Sequence, residues 1–541
     1  MTNPHWWRDA VIYQIYPRSF ADSDGDGYGD LEGIIARLDH VRDLGVDAIW
    51  CSPFYASPMK DAGYDVSDYM TIDPLFGGLD AAERLVEACH ARGLKLIVDL
   101  VPNHTSSEHA WFRAALAAEP GSPERGRYHF ADGKGADGEL PPNNWTSVFG
   151  GPGWTRLAKP DGTPEQWYLH LFDVTQPDLN WDDERVREGF DEILRFWLDR
   201  GVDGFRVDVA HSLVKAKGLP DDNADYRMIS GGDGPMWDQD GVHEVYRRWR
   251  AILDEYPGDD RILVAEAWVA NPDRLALYLR PDEMHTAFNF DFLASEWDAE
   301  EYRSRISASL AVDAKVGAPT TWVLSNHDTM RHTSRLGRAE HPGVHQEFLG
   351  PEDPQPDEVL GLRRAHAATM MELALPGSAY LYQGEELGLP DHTTLPHEYR
   401  QDPAWFQSNH EELGRDGCRV PLPWEADAPG LRFSPSGRTW LPQPASYKAL
   451  AVDQQVGDEG STLELYRRLL RLRRELGLGR GALTWREDLG DGVLAFENAG
   501  VTVVVNISGE PVPVGDHEVL ASSEPIDDVV PTDAAAWLRA R

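Results

Sequence analysis

The 541-residue chain carries 91 Asp and Glu against 51 Lys and Arg, a formal charge of −40. Such a surface repels nucleic acid and anionic membranes and is compatible with a neutral or cationic small-molecule partner, while the charge itself reads first as a matter of solubility. The length exceeds one core of ordinary size, so two or three domains are expected, and 41% hydrophobic with 10% aromatic residues excludes a disordered chain.

Cys51, Cys89 and Cys418 stand far apart with no CxxC pair. That spacing argues against a disulfide scaffold or zinc site and points to a reducing compartment, the cytoplasm. The N-terminus lacks a basic segment followed by an apolar run, so no secretory leader is expected. No 18-residue apolar stretch occurs, so no membrane span is expected either.

Residues 11–17 read as a buried strand, followed by Leu31, Ile34, Ile35, Leu38, Val41 and Leu44 at helical spacing. A second strand over 48–53, a helix over 79–92 ended by Gly93, and a third strand over 94–101 repeat the pattern. Continuous apolar strands alternating with amphipathic helices predict a parallel sheet covered on both faces. From 105 to about 178 the chain is rich in Gly, Pro, Asn and Trp, too long for a simple loop, and reads as an inserted subdomain. The helix 184–200, with Val186, Phe190, Ile193, Leu194 and Trp197 on one face, resumes the alternation. Further strands are expected at Gly204, over 261–268, 285–292, 320–325 and 378–383, which completes eight.

The predicted fold is therefore α/β, a (β/α)8 TIM barrel. The long polar segments 213–241, 335–359 and 390–446 each follow a strand and fall on the face where barrels carry their sites. Past a helix over 463–476, alternating runs over 492–496 and 501–506 predict a C-terminal antiparallel β-sandwich. The expected division is barrel over 1–104 and 179–478, inserted subdomain over 105–178, and C-terminal domain over 479–541.

Four strand ends carry chemistry. In Gly204-Phe-Arg-Val-Asp-Val-Ala-His211, Arg206 precedes Asp208 by two residues and so shares its face, where it would hold the carboxylate ionised as a nucleophile requires. The other ends are Asp99-Leu-Val-Pro-Asn-His104, Ala265-Glu266-Ala-Trp268 and Ser325-Asn-His-Asp328. With these motifs the sequence resembles the α-amylase family of glycoside hydrolases (family 13) over nearly its whole length. The resemblance implies Asp208 as nucleophile, Glu266 as general acid/base and Asp328 as the carboxylate that binds sugar hydroxyls, with His104 and His327 bonding the same sugar. The apolar flank of Glu266 would raise its pKa.

Asp61-Ala-Gly-Tyr64 resembles the segment whose tyrosine stacks on the terminal sugar and whose aspartate closes the pocket. Arg415 is the candidate partner of Asp61, with Arg419 the competing choice. A closed pocket implies exo action, one glucose at a time. Gln176-Pro-Asp-Leu-Asn-Trp181 resembles the oligo-1,6-glucosidase and α-glucosidase branch, and Val209 leans toward α-1,6 or mixed specificity.

The loop 22–30 has oxygen donors at alternating positions and Gly27 at the sixth, but Gly33 at the twelfth, so it is no EF-hand. It resembles the branch's single metal loop, implying a structural Ca2+ held by Asp22, Asp24, Asp26, the Tyr28 carbonyl and Asp30. No organic cofactor is expected.

The function implied is a retaining exo-acting α-glucosidase releasing glucose from short α-1,6 or α-1,4 glucosides, as a monomer or homodimer. The alternatives are a family 13 glucosyl transferase or isomerase of the trehalose synthase, sucrose isomerase or sucrose hydrolase type, which would share these acids. A non-enzymatic transporter subunit would need a membrane helix and eroded acids, and the sequence has neither.

Overall fold

The computed structural model describes residues 5–159, 161–222, 234–258, 260–339 and 348–541. Eight parallel strands form its centre: β1 Val11–Ile15, β2 Ala48–Cys51, β3 Lys95–Leu100, β4 Gly204–Val207, β5 Ile262–Ala265, β6 Thr286–Ala287, β7 Thr321–Val323 and β8 Ser378–Tyr382. Their order is β6-β5-β4-β3-β2-β1-β8-β7. A parallel bridge between Phe288 and Thr321 brings the two ends together, with the Asn289 amide donating to the Thr321 carbonyl at 3.2 Å. The result is a (β/α)8 barrel.

Nearly every residue of these strands is buried, because side chains on one face fill the barrel and those on the other meet the helices. The helix Leu31–Leu44 shows how local sequence sets an element. The Asp30 carboxylate accepts from the Gly33 amide at its start, Gly45 ends it with φ of 102°, and Leu31, Ile34, Leu38, Val41 and Leu44 form its buried stripe.

Between His104 and Asp178 the chain leaves the barrel. It forms a three-stranded antiparallel sheet in the order Phe130–Ala131, Pro164–Leu169, Trp154–Ala158, then returns beside its point of departure through a bridge between His104 and Asp178. After the helix Thr462–Leu476 comes a five-stranded antiparallel sheet of Thr484–Arg486, Val493–Asn498, Val501–Asn506, Ala534–Ala540 and His517–Ser522, with a separate pair of Val512–Pro513 and Val529–Val530. It docks on the barrel where the Trp537 indole donates to the Met370 carbonyl (2.9 Å) and Asn498 to that of Ala374 (2.8 Å).

The strand expected over 285–292 is corrected. It stops at Ala287, and Phe290–Leu293 is a helical turn, because the Asn289 side chain accepts from the Phe292 amide and starts a helix inside an apolar run. Strand β1 likewise ends at Ile15, since Pro17 opens a 3-10 turn over Pro17–Ser19. Parts of the long segments 213–241 and 335–359, namely 223–233 and 340–347, lie outside the described residues. Among the described residues no helix is long and apolar enough to cross a membrane. The three cysteines are free and buried.

Candidate active site

A cleft at the carboxyl ends of the strands is lined by Asp61, Tyr64, His104, Phe149, Phe172, Asp208, Val209, His211, Trp237, Glu266, Trp268, Asp328 and Arg415, among others. Asp208 follows β4, Glu266 follows β5, and Asp328 stands beyond β7. The barrel therefore brings the three acids together from widely separated parts of the chain.

Arg206 lies beneath them. Its Nη1 meets Asp208 Oδ1 at 2.6 Å and Asp99 Oδ1 at 2.9 Å, and its Nη2 meets Glu266 Oε2 at 2.7 Å. Arg206 stands beside Asp208, as their two-residue spacing implies, and the same guanidinium serves two further carboxyls. Burial pushes Asp208 well above the ordinary carboxylate range against the pull of Arg206, with Glu266 adding to the rise, and Asp99 is pushed up to about 7 in the same way. With Asp208 and Asp99 both pushed up beside one fixed positive charge, the cluster keeps a proton near neutrality.

Glu266 has the apolar flank read from sequence, with Ala265 and Ala267 buried. Its carboxyl is not in an apolar shell, however: Oε2 also accepts from the Val209 amide (3.0 Å), and Oε1 faces the Trp268 indole nitrogen (3.3 Å). The Val209 amide reaches it because Val209 adopts φ of 43°, a left-handed conformation costly for a β-branched residue. Strain sits immediately after the nucleophile candidate, where the surrounding bonds hold it.

The far end of the cleft is a wall of charge. Arg415 Nη2 meets Asp61 Oδ1 at 2.8 Å, its Nη1 meets Asp328 Oδ1 at 2.9 Å, and its Nε meets Asp402 Oδ2 at 2.5 Å. Arg415, not Arg419, is the partner of Asp61. Arg419 turns to Asp328 (2.9 Å) and to the His327 carbonyl (2.8 Å). Burial would raise Asp328, but His327, Arg415 and Arg419 outweigh it and hold the carboxyl far below its ordinary range. Burial pushes Asp61 up to about 6 despite Arg415. Gly63, with φ of 108°, lets this segment pass Pro53, whose carbonyl would lie 3.0 Å from any added Cβ.

The two histidines differ in placement. His104 lines the cleft, and burial lowers its pKa to about 4, so the ring is neutral. His327 is wholly buried behind Tyr64, which stacks on it with ring centroids 5.3 Å apart. With the Gln14 amide donating to Nδ1 (2.7 Å), Nε2 carries the proton and faces the Tyr64 hydroxyl (2.5 Å) and Asp328 Oδ2 (3.2 Å). His327 thus supports the lining residues rather than lining the cleft itself.

Several contributors have no contact role assigned from sequence. Gln176, first residue of the branch motif, donates to Asp61 Oδ2 (3.0 Å) and approaches His104 Nε2 (3.1 Å), tying the inserted segment to the closed end. Asp99 opens a strand-end motif without a role of its own, and Asp402 reads only as an acid among many. Phe149, Phe172 and Trp237 come from loops, where no strand-end signal marks them.

In the loop 22–30, ligand atoms of Asp22, Asp24 and Asp30 lie within 4.8 Å of one another. Asp26 is exposed and outside that group, its Oδ1 accepting from the Tyr28 amide at 2.8 Å. The Tyr28 ring stacks on Trp440. Burial raises the pKa of Asp30, and nearby Asp22 adds to the rise. Three hard oxygen donors converge there, a donor set of the kind that suits a divalent ion.

The profile of the alpha amylase catalytic domain matches residues 14–479. The chain belongs to the α-amylase family. It is a glycoside hydrolase acting on a small carbohydrate. Family members similar to it include a probable alpha-glucosidase of Rhizobium meliloti (strain 1021), 38% identical over 93% of this chain and 90% of that protein. An oligo-1,6-glucosidase of Parageobacillus thermoglucosidasius is 35% identical over 87% and 84%. Among solved structures, the alpha-glucosyl transfer enzyme XgtA superposes with a TM-score of 0.85 at 37% identity, covering 99% of both chains.

Proposed function

We propose that this glycoside hydrolase is a retaining, exo-acting α-glucosidase that removes one glucose from the non-reducing end of short α-1,6 or α-1,4 glucosides. The observation that carries the reading is the ion-paired wall of the cleft, where Arg415 joins Asp61, Asp328 and Asp402. Such a wall would admit a terminal sugar and bar a chain from running through. Asp328, ionised between two guanidinium groups, suits hydroxyl binding and the charge that develops on the ring in the transition state.

In the first step an Asp208 oxygen attacks C1 and Glu266 gives its proton to the departing oxygen, leaving a glucosyl ester. In the second, Glu266 takes a proton from water as that water attacks C1, and Asp208 leaves as carboxylate. One planar guanidinium spans Asp208 and Glu266, which favours the carboxyl separation of about 5–5.5 Å that covalent catalysis uses over the wider gap that admits a water for inversion.

Glucosyl transfer is the second reading, favoured by the apolar walls of Phe149, Phe172, Val209 and Trp268, which exclude water from the ester. Incubation with maltose, isomaltose and sucrose, followed by NMR of the first product, tests both. Initial α-glucose supports the proposal, and β-glucose or internal cleavage of longer chains defeats it. Longer saccharides or isomers as the main product establish transfer instead. Asp208→Asn should lower kcat by at least about 10³-fold while leaving the fold intact.

The loop 22–30 would hold a structural Ca2+ through Asp22, Asp24 and Asp30, with Asp26 and the Tyr28 carbonyl as further candidate donors. The ion would neutralise converging carboxylates and fix the start of the helix Leu31–Leu44. Chelation should lower the melting temperature by several degrees with calcium restoring it; no change on chelation and no calcium in the purified protein would refute the site.

A further inference from the structure

A second cavity, of about 100 Å³, lies between the short strand β6 and the helix Ala299–Val316. One water needs only about 15 Å³, so this space admits an organic molecule of several heavy atoms. Trp268, Leu275, Phe288 and Phe290 give it apolar walls. Of the polar groups beside them, Asn289 donates to the Ser309 hydroxyl (2.7 Å) and Asp291 faces Arg305 (3.6 Å). Asp313 has no such counterpart.

Asp313 is 8% exposed, and its Oδ2 accepts from the Thr320 hydroxyl at 2.6 Å. Among the described residues nothing bonds its other oxygen, and no Lys, Arg or His pairs with the carboxylate. The residue stands in the last turn of its helix, where the unpaired carbonyls add negative charge. Burial pushes its pKa up to about 6, with the Thr320 bond opposing the rise. It is therefore mostly ionised at neutral pH, a buried anion without a counter-charge, and an entering cation offsets that cost. The aromatic walls attract a cation by their ring faces and shelter a hydrocarbon body. A single carboxylate among such walls suits an amine better than a hydrated metal ion or a sugar.

We propose that this cavity binds a small organic ammonium, with the charge on Asp313 and the hydrocarbon body against Trp268 and Phe288. Its occupancy is felt at the catalytic cleft, because Trp268 lines both cavities, stacks on Phe290 at 3.7 Å and turns its indole nitrogen to Glu266 Oε1 at 3.3 Å. A ligand filling the cavity braces the indole from behind. The effect on turnover rests on the glucosidase reading; the binding does not.

Benzylammonium is the probe, with benzyl alcohol as its neutral control and benzoate as its anionic one. Calorimetry should show saturable binding of benzylammonium, at least about tenfold weaker binding of the alcohol, and none of benzoate. Asp313→Asn should weaken the ammonium to the level of the alcohol. Leu275→Trp, which narrows the cavity, should weaken both, and it decides the matter if the asparagine variant does not fold. Equal binding of ammonium and alcohol, no binding of either, or ammonium binding indifferent to both substitutions would overturn the proposal, the last by placing the amine on the acids of the cleft. Bound benzylammonium should also alter kcat on saturating 4-nitrophenyl α-glucoside by about twofold or more, which a competitor for the cleft cannot do. Binding with kcat unmoved would refute the coupling. Failure of the enzyme to hydrolyse any α-glucoside would instead sink the glucosidase reading and leave the calorimetric result standing.

Discussion

Arg206 is the residue on which the chemistry turns, because its planar fork reaches three carboxyls at once and a point charge cannot. Its position ties the nucleophile candidate, the acid candidate and Asp99 to one charge. Arg206→Lys should lower kcat by about 100-fold and shift both limbs of the kcat/KM–pH profile, whereas a lesion that merely weakened substrate binding would scale the profile without moving it. The pairing of Arg206 with Asp208 was legible from their two-residue spacing. The sharing was not, since Asp99 and Glu266 arrive from neighbouring strands, and only the parallel register that sets Asp99 beside Arg206 and Val264 beside the same residue reveals it.

At the scale of elements, strands and helices with clear periodicity were legible to within a few residues, as in the helix Thr462–Leu476 and the strand Val501–Asn506. Ambiguity arose where an apolar run was short. Phe288-Asn-Phe-Asp-Phe fits a strand by composition, and the deciding fact, that Asn289 turns its side chain to the Phe292 amide, is a matter of local capping. The site elements drawn from loops were opaque for a related reason: Gln176 and Trp237 acquire their roles only through long-range packing. One such tie is Lys215, which reaches Asp178 Oδ2 and Asn103 Oδ1, both at 2.9 Å, and so fastens the loop after β4 to both ends of the inserted segment. Both partners are nearly unexposed, so Lys215→Met should leave a buried carboxylate unpaired and destabilise the protein by about 3–5 kcal/mol. Urea unfolding would measure the loss, and hydrogen exchange should rise first over 169–179.

The whole molecule buries many neutral histidines. His104, His109, His129 and His366 are lowered to about 4, and His285, His327 and His332 further still, burial leading in every case. A depressed histidine contributes stability that is full above its unfolded pKa of about 6.5 and is lost as pH falls through the folded value. Stability should therefore drop between roughly pH 6.5 and 4. His366, which joins the helices Glu358–Ala374 and Thr462–Leu476 through Thr462 Oγ1 (2.9 Å), allows a clean measurement away from the site. His366→Gln should flatten the decline of melting temperature over that window, and an unaltered slope would show that its protonation is not what fails.

Among the described residues, one parallel bridge, between Phe288 and Thr321, closes the ring of strands. It lies two residues from Phe290, whose ring is stacked 3.7 Å from the Trp268 indole that faces Glu266. A hoop riveted so lightly at one point springs there before it buckles elsewhere, and the tryptophan loses its backing when it does. Warming should therefore silence the enzyme while most of its helices are still wound, an inactivation that reverses on cooling.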